Sequence, residues 1–439
     1  MMLDFIKRNA FWTLDFFRGS KVRKAYKNLN KYYHLDSNSS KLEKYQKKTL
    51  NSLLDQAVNN TIYYKKFKNK KDLSSFPVVN KKKINDKQEE FLSKKYTREN
   101  LIQMSTSGST GTPFVSYQNI NKKRCVNAET IFFNGKAGYN VGSKLVYLRS
   151  LNLKNNKTKL KQKIQNEKLI DIAELDDTNI EYLFEQIERF TNKQSATMLS
   201  YASTYDTLSN YFKKYGFDKA KKCNIHGILS TSEILFDETR RYMSEAFNCN
   251  CYSRYANMEN GMLGQDTPKH PNTFILNEAN YYIEILRMDS DIPADFGETG
   301  RIVVTDLYNY AMPMIRYDTG DVGTFTYVDL KGKKKKAITN FGGRKIDMIT
   351  DVKGNTISPH KISVTFWNFP ELKQFQFIQE DNKTYSILLM LKTDFDRGNE
   401  LIDKLKAILG EKAVINIKVV ESIPVLDSGK RKYIINKNL

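Results

Sequence analysis

The sequence predicts an α/β protein of two domains, a large N-terminal one over residues 1–343 and a small C-terminal one over 344–439. Three observations predict it. From residue 100 onward, helical and strand patterns alternate, as they do when helices cover a sheet. After Gly342-Gly343 the pattern changes to a short strand–helix–strand series. The 439 residues, 40% hydrophobic and 27% charged, are enough for more than one core and lie outside the composition of a disordered chain.

Taken in order, the first 35 residues mix aromatics (Phe5, Phe11, Trp12, Phe16, Phe17) with a basic continuation (Arg18, Lys21, Arg23, Lys24, Lys27). Aromatic stripes are mostly core, so the favoured reading is a helix packed on the main domain by its aromatic face. The second reading is an amphipathic segment lying on an anionic membrane. Ile180, Leu183, Phe184, Ile187 and Phe190 recur at helical spacing. Asp237 is placed to cap a helix running through Arg240 to Phe247, with Glu238 in its first turn. Tyr282–Leu286, Arg301–Val304 and Val322–Val328 read as strands. The basic run 331–336 reads as a hairpin tip around Gly332. In the last hundred residues, strands at Tyr385–Leu391 and Val414–Val420 flank a helix at Glu400–Leu409.

Charge is the unusual quantity. Against 49 acids stand 71 bases, 55 Lys and 16 Arg, for a net +22. Such an excess suits nucleic acid, a membrane surface or anionic small molecules. Nucleic-acid readers favour Arg, whose planar fork grips phosphates and base edges, and no Arg cluster occurs. Nucleic acid is therefore not the favoured partner. No apolar run approaches the roughly 20 residues that cross a membrane, and the first residues lack the layout of a secretory signal. Four cysteines give no disulfide framework. The expected location is cytoplasmic, with peripheral contact at the inner face of the membrane as the variant that the N-terminus suggests.

Thr106-Ser107-Gly108-Ser109-Thr110-Gly111-Thr112-Pro113 is the sharpest local feature. Glycines let backbone N–H groups approach an anion, and hydroxyls donate further hydrogen bonds. No Gly-Lys-Ser/Thr follows, and around Gly429-Lys430 Pro424 and Arg431 occupy the deciding positions, so a P-loop is excluded. The octapeptide resembles the phosphate-binding signature of adenylate-forming enzymes, the superfamily of acyl-CoA synthetases, luciferases and peptide-synthetase adenylation domains. Four further elements follow in that family's order. Tyr255–Glu259 resembles Tyr-Gly-x-Ser/Thr-Glu, with Ala256 and Met258 as departures. Arg316–Asp321 is similar to the Tyr-x-Thr-Gly-Asp element, Gly343-Arg344 with Asp347 to Gly-Arg-x-x-Asp, and Pro424–Lys430 to Pro-x4-Gly-Lys. Upstream, Thr61–Lys66 and Phe76–Lys81 resemble the phenylacetate–CoA ligase and capsule-biosynthesis (CapK-like) branch.

The resemblance implies a large N-terminal domain of sheets flanked by helices and a small mobile C-terminal α/β domain that carries the catalytic lysine. It implies attack of a carboxylate on the α-phosphate of ATP, giving an acyl-adenylate and pyrophosphate, then transfer to coenzyme A or to an amine or hydroxyl. Thr106, Ser107, Gly108, Ser109, Thr110 and Gly111 would hold the phosphates, and Glu259 would help hold Mg²⁺. Tyr255 and Glu233, the latter at the place of a Gly-Ala-Glu adenine element, would contact the nucleotide. Asp321 would bind the ribose hydroxyls, Arg344 would add a ribose or phosphate contact, and Lys430 would neutralise charge at the α-phosphate. Ile346 stands where the family has a polar hinge residue, and Ser363 where related enzymes often carry Glu.

Cys223, His226, Cys249 and Cys251 offer two close pairs of soft ligands. Cys-x-Cys is tighter than structural zinc usually takes, so buried cysteines are the expected outcome. Four histidines form no visible triad, and Ser107 and Ser109 lack a Gly-x-Ser-x-Gly setting. Two rival readings remain, a basic nucleic-acid-binding protein and a catalytically inactive adenylation fold acting as a binding module. The acid and the oligomeric state are left open.

Overall fold

The computed structural model describes residues 2–70, 72–106, 114–151, 156–173, 175–344, 349–357, 362, 365–366, 368–369, 371–423 and 433–438. The chain divides into two compact units. The first runs to Thr319 and includes Thr324–Thr339; the second comprises Gly320–Gly323 and the chain from Asn340. The sequence-predicted α/β class is the observed one.

In the first unit, β1 (Ile102–Thr106) and β2 (Phe114–Gln118) form a hairpin, paired from Ile102↔Gln118 to Thr106↔Phe114. Its main sheet draws on β3 (Lys144–Leu148), β4 (Glu167–Ile170), β5 (Ala196–Tyr201), β6 (Ile225–Thr231), β7 (Cys251–Asn257), β8 (Gly261–Thr267), β9 (His270–Leu276), β10 (Tyr281–Leu286), β11 (Thr299–Asp306), β12 (Tyr317–Asp329) and β13 (Lys334–Arg344). These eleven strands stand in the order β10-β11-β12-β13-β9-β8-β7-β6-β5-β3-β4. From β4 to β7 the pairs are parallel, and β7–β8, β8–β9, β9–β13 and β10–β11 are antiparallel. Strand β7 is thus the seam between a helix-covered parallel half and a hairpin-rich half.

The helices in chain order are α1 (Met2–Phe17), α2 (Lys21–Tyr33), α3 (Ser40–Asn60), α4 (Lys81–Asp86), α5 (Gln88–Phe91), α6 (Ile120–Lys136), α7 (Lys159–Gln165), α8 (Asp177–Thr191), α9 (Ala202–Tyr215), α10 (Asp218–Lys221), α11 (Asp237–Phe247) and, in the second unit, α12 (Gly398–Leu409). Helix α8 shows how the pattern becomes structure. Asp176 caps it by accepting from Asn179 N at 2.7 Å, and Ile180, Leu183, Phe184 and Ile187 are buried along one stripe. They meet Val146, Met198 and Ile228 of the parallel strands and Tyr205, Leu208 and Phe212 of α9.

Three expectations are corrected. Asp237 is the first residue of α11, not its cap, and its carboxylate instead accepts from Asn272 Nδ2 at 2.9 Å. The hairpin tip is confined to 330–333, where Lys331 and Gly332 take φ of 56° and 75°, the left-handed pair of a tight two-residue turn. Lys335, two residues on, is buried, donates to the Leu35 carbonyl at 2.9 Å and pairs with Glu278 at 3.5 Å. The N-terminal segment is two helices. It is α2 that packs, through Leu29 and Tyr33 against Phe132 and Phe133 of α6, whereas the only fully buried residue of α1 is Asp15.

The second unit has a sheet ordered β18 (Val414–Val419), β17 (Thr384–Leu391), β16 (Leu372–Gln379), β19 (Ile434–Asn436), beside the small hairpin of β14 (Ile349–Thr350) and β15 (Thr356–Ile357). β17 and β18 run parallel, so the chain must cross over between them, and α12 is that crossover. Leu401, Leu405 and Leu409, four apart, turn inward to Phe377, Ile387 and Leu389.

Candidate active site

In open sheets of this kind, ligands collect beyond the carboxyl ends of parallel strands. Two predicted residues lie there. Glu233 is two residues past β6 and Glu259 two past β7. The turn that carries Glu259 is held by Asn257, whose Oδ1 accepts from Asn260 N at 2.8 Å. It ends on Gly261, with φ +128°, where a Cβ would come within 2.5 Å of Glu129 Oε2 and 2.8 Å of the Tyr281 hydroxyl. Only glycine passes there.

Glu259 is 1% exposed. Its Oε1 accepts from the Tyr317 hydroxyl at 2.6 Å and faces Lys81 Nζ at 3.4 Å. Gln118 Nε2, at the end of β2, donates to the Glu259 carbonyl at 3.0 Å. Glu259 Oε2 is buried and meets no hydrogen-bond donor among the described residues. Gln118 Oε1 likewise meets no donor, and Asn257 Nδ2 no acceptor, among the described residues. Buried polar atoms are ordinarily satisfied, so such a group of exceptions marks a place for a ligand.

The loop of hydroxyls enters here through its ends. Residues 107–113 lie outside the described residues, but they join β1 to β2 across the Thr106↔Phe114 pair. Phe114 stacks against Tyr317 at 6.1 Å between ring centres, and Lys81 Nζ stands 5.9 Å from the Phe114 ring. Two motifs far apart in sequence, through Lys81 and Tyr317, thus meet the Glu259 carboxylate, and Phe114, just past the hydroxyl loop, stacks on that same tyrosine.

Strand β12 is locked where this happens. Val79 N donates to the Arg316 carbonyl at 3.0 Å, and Asp318 N donates to the Val79 carbonyl at 2.8 Å. The Arg316 guanidinium grips Glu284 at 3.1 and 3.2 Å and reaches the Phe76 carbonyl at 3.0 Å. Arg301 holds Asp318 at 2.7 Å. Tyr255, on β7 beside a bulge, is buried, and its hydroxyl lies 3.4 Å from Thr319 Oγ1.

Glu233 plays a second role. Its Oε2 accepts Ser203 N at 2.9 Å in the first turn of α9, where a carboxylate complements the helix dipole, while Oε1 is buried without a donor among the described residues. Ser232, before it, has φ +72°.

In the second unit, Asp321 is half-buried on β12, directly after Gly320 with φ +82°. Arg344 ends β13, and its side chain is outside the described set, as are Ile346, Asp347, Ser363 and Lys430.

Sequence reasoning missed Lys81 and the acceptance by Glu259 of the Tyr317 hydroxyl. Both residues lie in segments whose resemblance was visible. The missing information was that Val79 pairs with Tyr317, 238 positions away.

The cysteine–histidine set does not gather. Cys223 Sγ contacts the Phe184 carbonyl at 3.5 Å, Ser244 donates to Cys251 Sγ at 3.4 Å, and His226 Nε2 is 3.0 Å from Thr197 Oγ1. Burial pushes the Cys223 and Cys251 thiols up, to about 12 and about 11. No group of three or more His, Cys, Asp or Glu suited to a metal occurs among the described residues.

Residues 349–437 match the family model described as the CapK C-terminal domain. The chain is also similar to Protein CapK of Staphylococcus aureus, 24% identical over 383 residues, covering 83% of this chain and 80% of that protein. The fold is that of the adenylate-forming ligases. A 2-hydroxyisobutyryl-CoA ligase, solved in the postadenylation state with an acyl-AMP, superposes with a TM-score of 0.71 at 15% identity, covering 89% of each chain. ATP-bound MatB from Rhodopseudomonas palustris gives 0.56 at 15% identity, over 77% of this chain and 68% of that one. The resemblance read from the motif series, to the adenylate-forming superfamily and its CapK-like branch, is shown.

Proposed function

We propose that the protein activates a carboxylic acid with ATP, forming an acyl-adenylate and pyrophosphate, and then transfers the acyl group to an acceptor. The carrying observation is the meeting of Tyr317 and Lys81 on Glu259, with Phe114 at the end of the hydroxyl loop stacked on Tyr317, while the second carboxylate oxygen of Glu259 has no donor among the described residues. The neighbours support the reading: 2-hydroxyisobutyryl-CoA ligase and the anthranilate ligase AuaEII were each solved with acyl-AMP, and MatB with ATP.

In the first step a carboxylate oxygen attacks the α-phosphorus, and the bond to the bridging oxygen breaks to release pyrophosphate. Two anions meet and charge grows on the leaving group, so positioning and preorganised positive charge are what the protein must supply. Thr106 to Gly111 hold the β- and γ-phosphates, and Lys430 neutralises the α-phosphate and the bridging oxygen. Asp321 receives the ribose hydroxyls, Arg344 adds a ribose or phosphate contact, and Tyr255 and Glu233 flank the base. Glu259 Oε2 fits a hard cation, and Mg²⁺ bound there would offset the charge of the triphosphate. Tyr317 orients the Glu259 carboxylate by donating its hydroxyl to Oε1.

Carboxylate-dependent exchange of pyrophosphate into ATP tests this. Lys430→Ala and Glu259→Gln should each lower the exchange by about 10²- to 10³-fold. No exchange with any acid of a broad panel, or equal exchange in the Lys430 variant, would overturn it. Coenzyme A, amines and hydroxyl compounds supplied to the charged enzyme then identify the acceptor. Coenzyme A is favoured by the ligases of the same fold.

A further inference from the structure

Helix α1 presents its sides in reverse. Its charged residues turn to the protein. Asp4 accepts from Asn166 Nδ2 at 3.2 Å and also from Gln194. Lys7 Nζ donates to the Lys163 carbonyl at 2.6 Å, and Asp15 receives the N–H groups of Val22 and Arg23 at 3.0 and 2.9 Å. Leu3, Phe5, Ile6, Leu14, Phe16 and Phe17, by contrast, are 51% to 79% exposed. At 100° per residue these positions sweep one continuous half of the helix, and only Asn9, Ala10 and Thr13 interrupt them, none of them charged. A surface helix normally does the opposite, and a contiguous exposed apolar face marks an interaction site.

Charge identifies what covers it. Between Asp15 and Asp36 the chain has six cations, Arg18, Lys21, Arg23, Lys24, Lys27 and Lys31, and no carboxylate. Lys21, Lys24 and Lys27 are exposed on α2, which follows α1 after a short turn. An aromatic-rich apolar face ending in a cationic belt complements an anionic bilayer, whose acyl region takes the rings and whose headgroups take the ammonium groups. A second copy seated on the same face would bring two cationic belts to one interface, which opposes self-association.

We propose that α1 and the start of α2 dock the protein on an anionic membrane surface, with α1 lying in the interface plane. This goes beyond the adenylation reading and does not depend on it. The full chain should co-sediment with vesicles of phosphatidylglycerol mixed with phosphatidylcholine, more weakly with phosphatidylcholine alone, and less as salt rises. The triple variant Phe5→Glu, Phe16→Glu, Phe17→Glu should lose at least about tenfold in vesicle partitioning. Lys21→Glu, Lys24→Glu, Lys27→Glu should lose it toward the anionic vesicles alone. Both sets lie on exposed positions, so melting temperature and pyrophosphate exchange should stay at parental values. Equal partitioning of parent and variants would overturn the proposal. So would absence of vesicle binding together with a concentration-dependent dimer that the aromatic variant abolishes.

Discussion

Glu259 draws its chemistry from three neighbours that no local pattern links. Tyr317→Phe removes the donor to Oε1 while keeping the stack on Phe114. It should cost about 1 kcal/mol of stability and raise the Mg²⁺ concentration needed for half-maximal exchange, read from metal titrations of parent and variant. Gly261→Ala is the harsher change. It would place a methyl group against the Glu129 carboxylate at φ +128°, and should cost on the order of 3 kcal/mol, measured by chemical denaturation. The carboxylates were legible as motif members, because the resemblance spans their local sequence. Lys81 was not, since its proximity to Glu259 depends on the Val79↔Tyr317 bridge.

Elements show where local rules hold and where packing overrides them. Periodicity placed α8 and α12, because their apolar stripes must face a sheet. It misjudged α1, because an aromatic stripe alone does not tell which side meets the core. Strand β8 carries a titration with a predictable sign. Asp266 accepts from Ser253 N at 2.6 Å and Asn272 N at 3.0 Å and pairs with Arg240, yet burial pushes its carboxyl up to about 6. The folded pKa lies above the unfolded value of about 3.9, so this group's contribution is fully present below that pH and is lost as pH rises through about 6. Burial raises Glu129, Glu278 and Glu284 in the same direction. The stability of Asp266→Asn relative to the parent should therefore rise by on the order of 2 kcal/mol between pH 4 and pH 7 and then level off, followed by denaturation at each pH.

For the whole molecule, each unit has its own core. The cluster from Ile349 to Ile434 draws only on residues of the second unit. Residues 340–439 expressed alone should melt cooperatively, with dispersed amide resonances; a broad, non-cooperative melt would show that this core needs the rest of the chain. The net +22 also takes on a shape. Several arginines are consumed inside the fold, Arg316 on Glu284, Arg301 on Asp318 and Arg240 on Asp266, and so are not available to grip phosphates. Among the described residues, no helix is long and apolar enough to cross a membrane. In the proposed docking, the stretch 18–31 carries the charge that meets the membrane.

The sequence by itself determined the α/β class, the order of the five motifs and the superfamily they resemble, because each is written in residues close together along the chain. Tertiary structure alone decided which motif members meet and which way α1 faces. Both depend on contacts between residues tens to hundreds of positions apart, such as Glu259 with Lys81 and Tyr317, and Asp4 with Asn166 and Gln194. Hydrophobic period records that a face is apolar, and only packing records whether protein or another phase covers it.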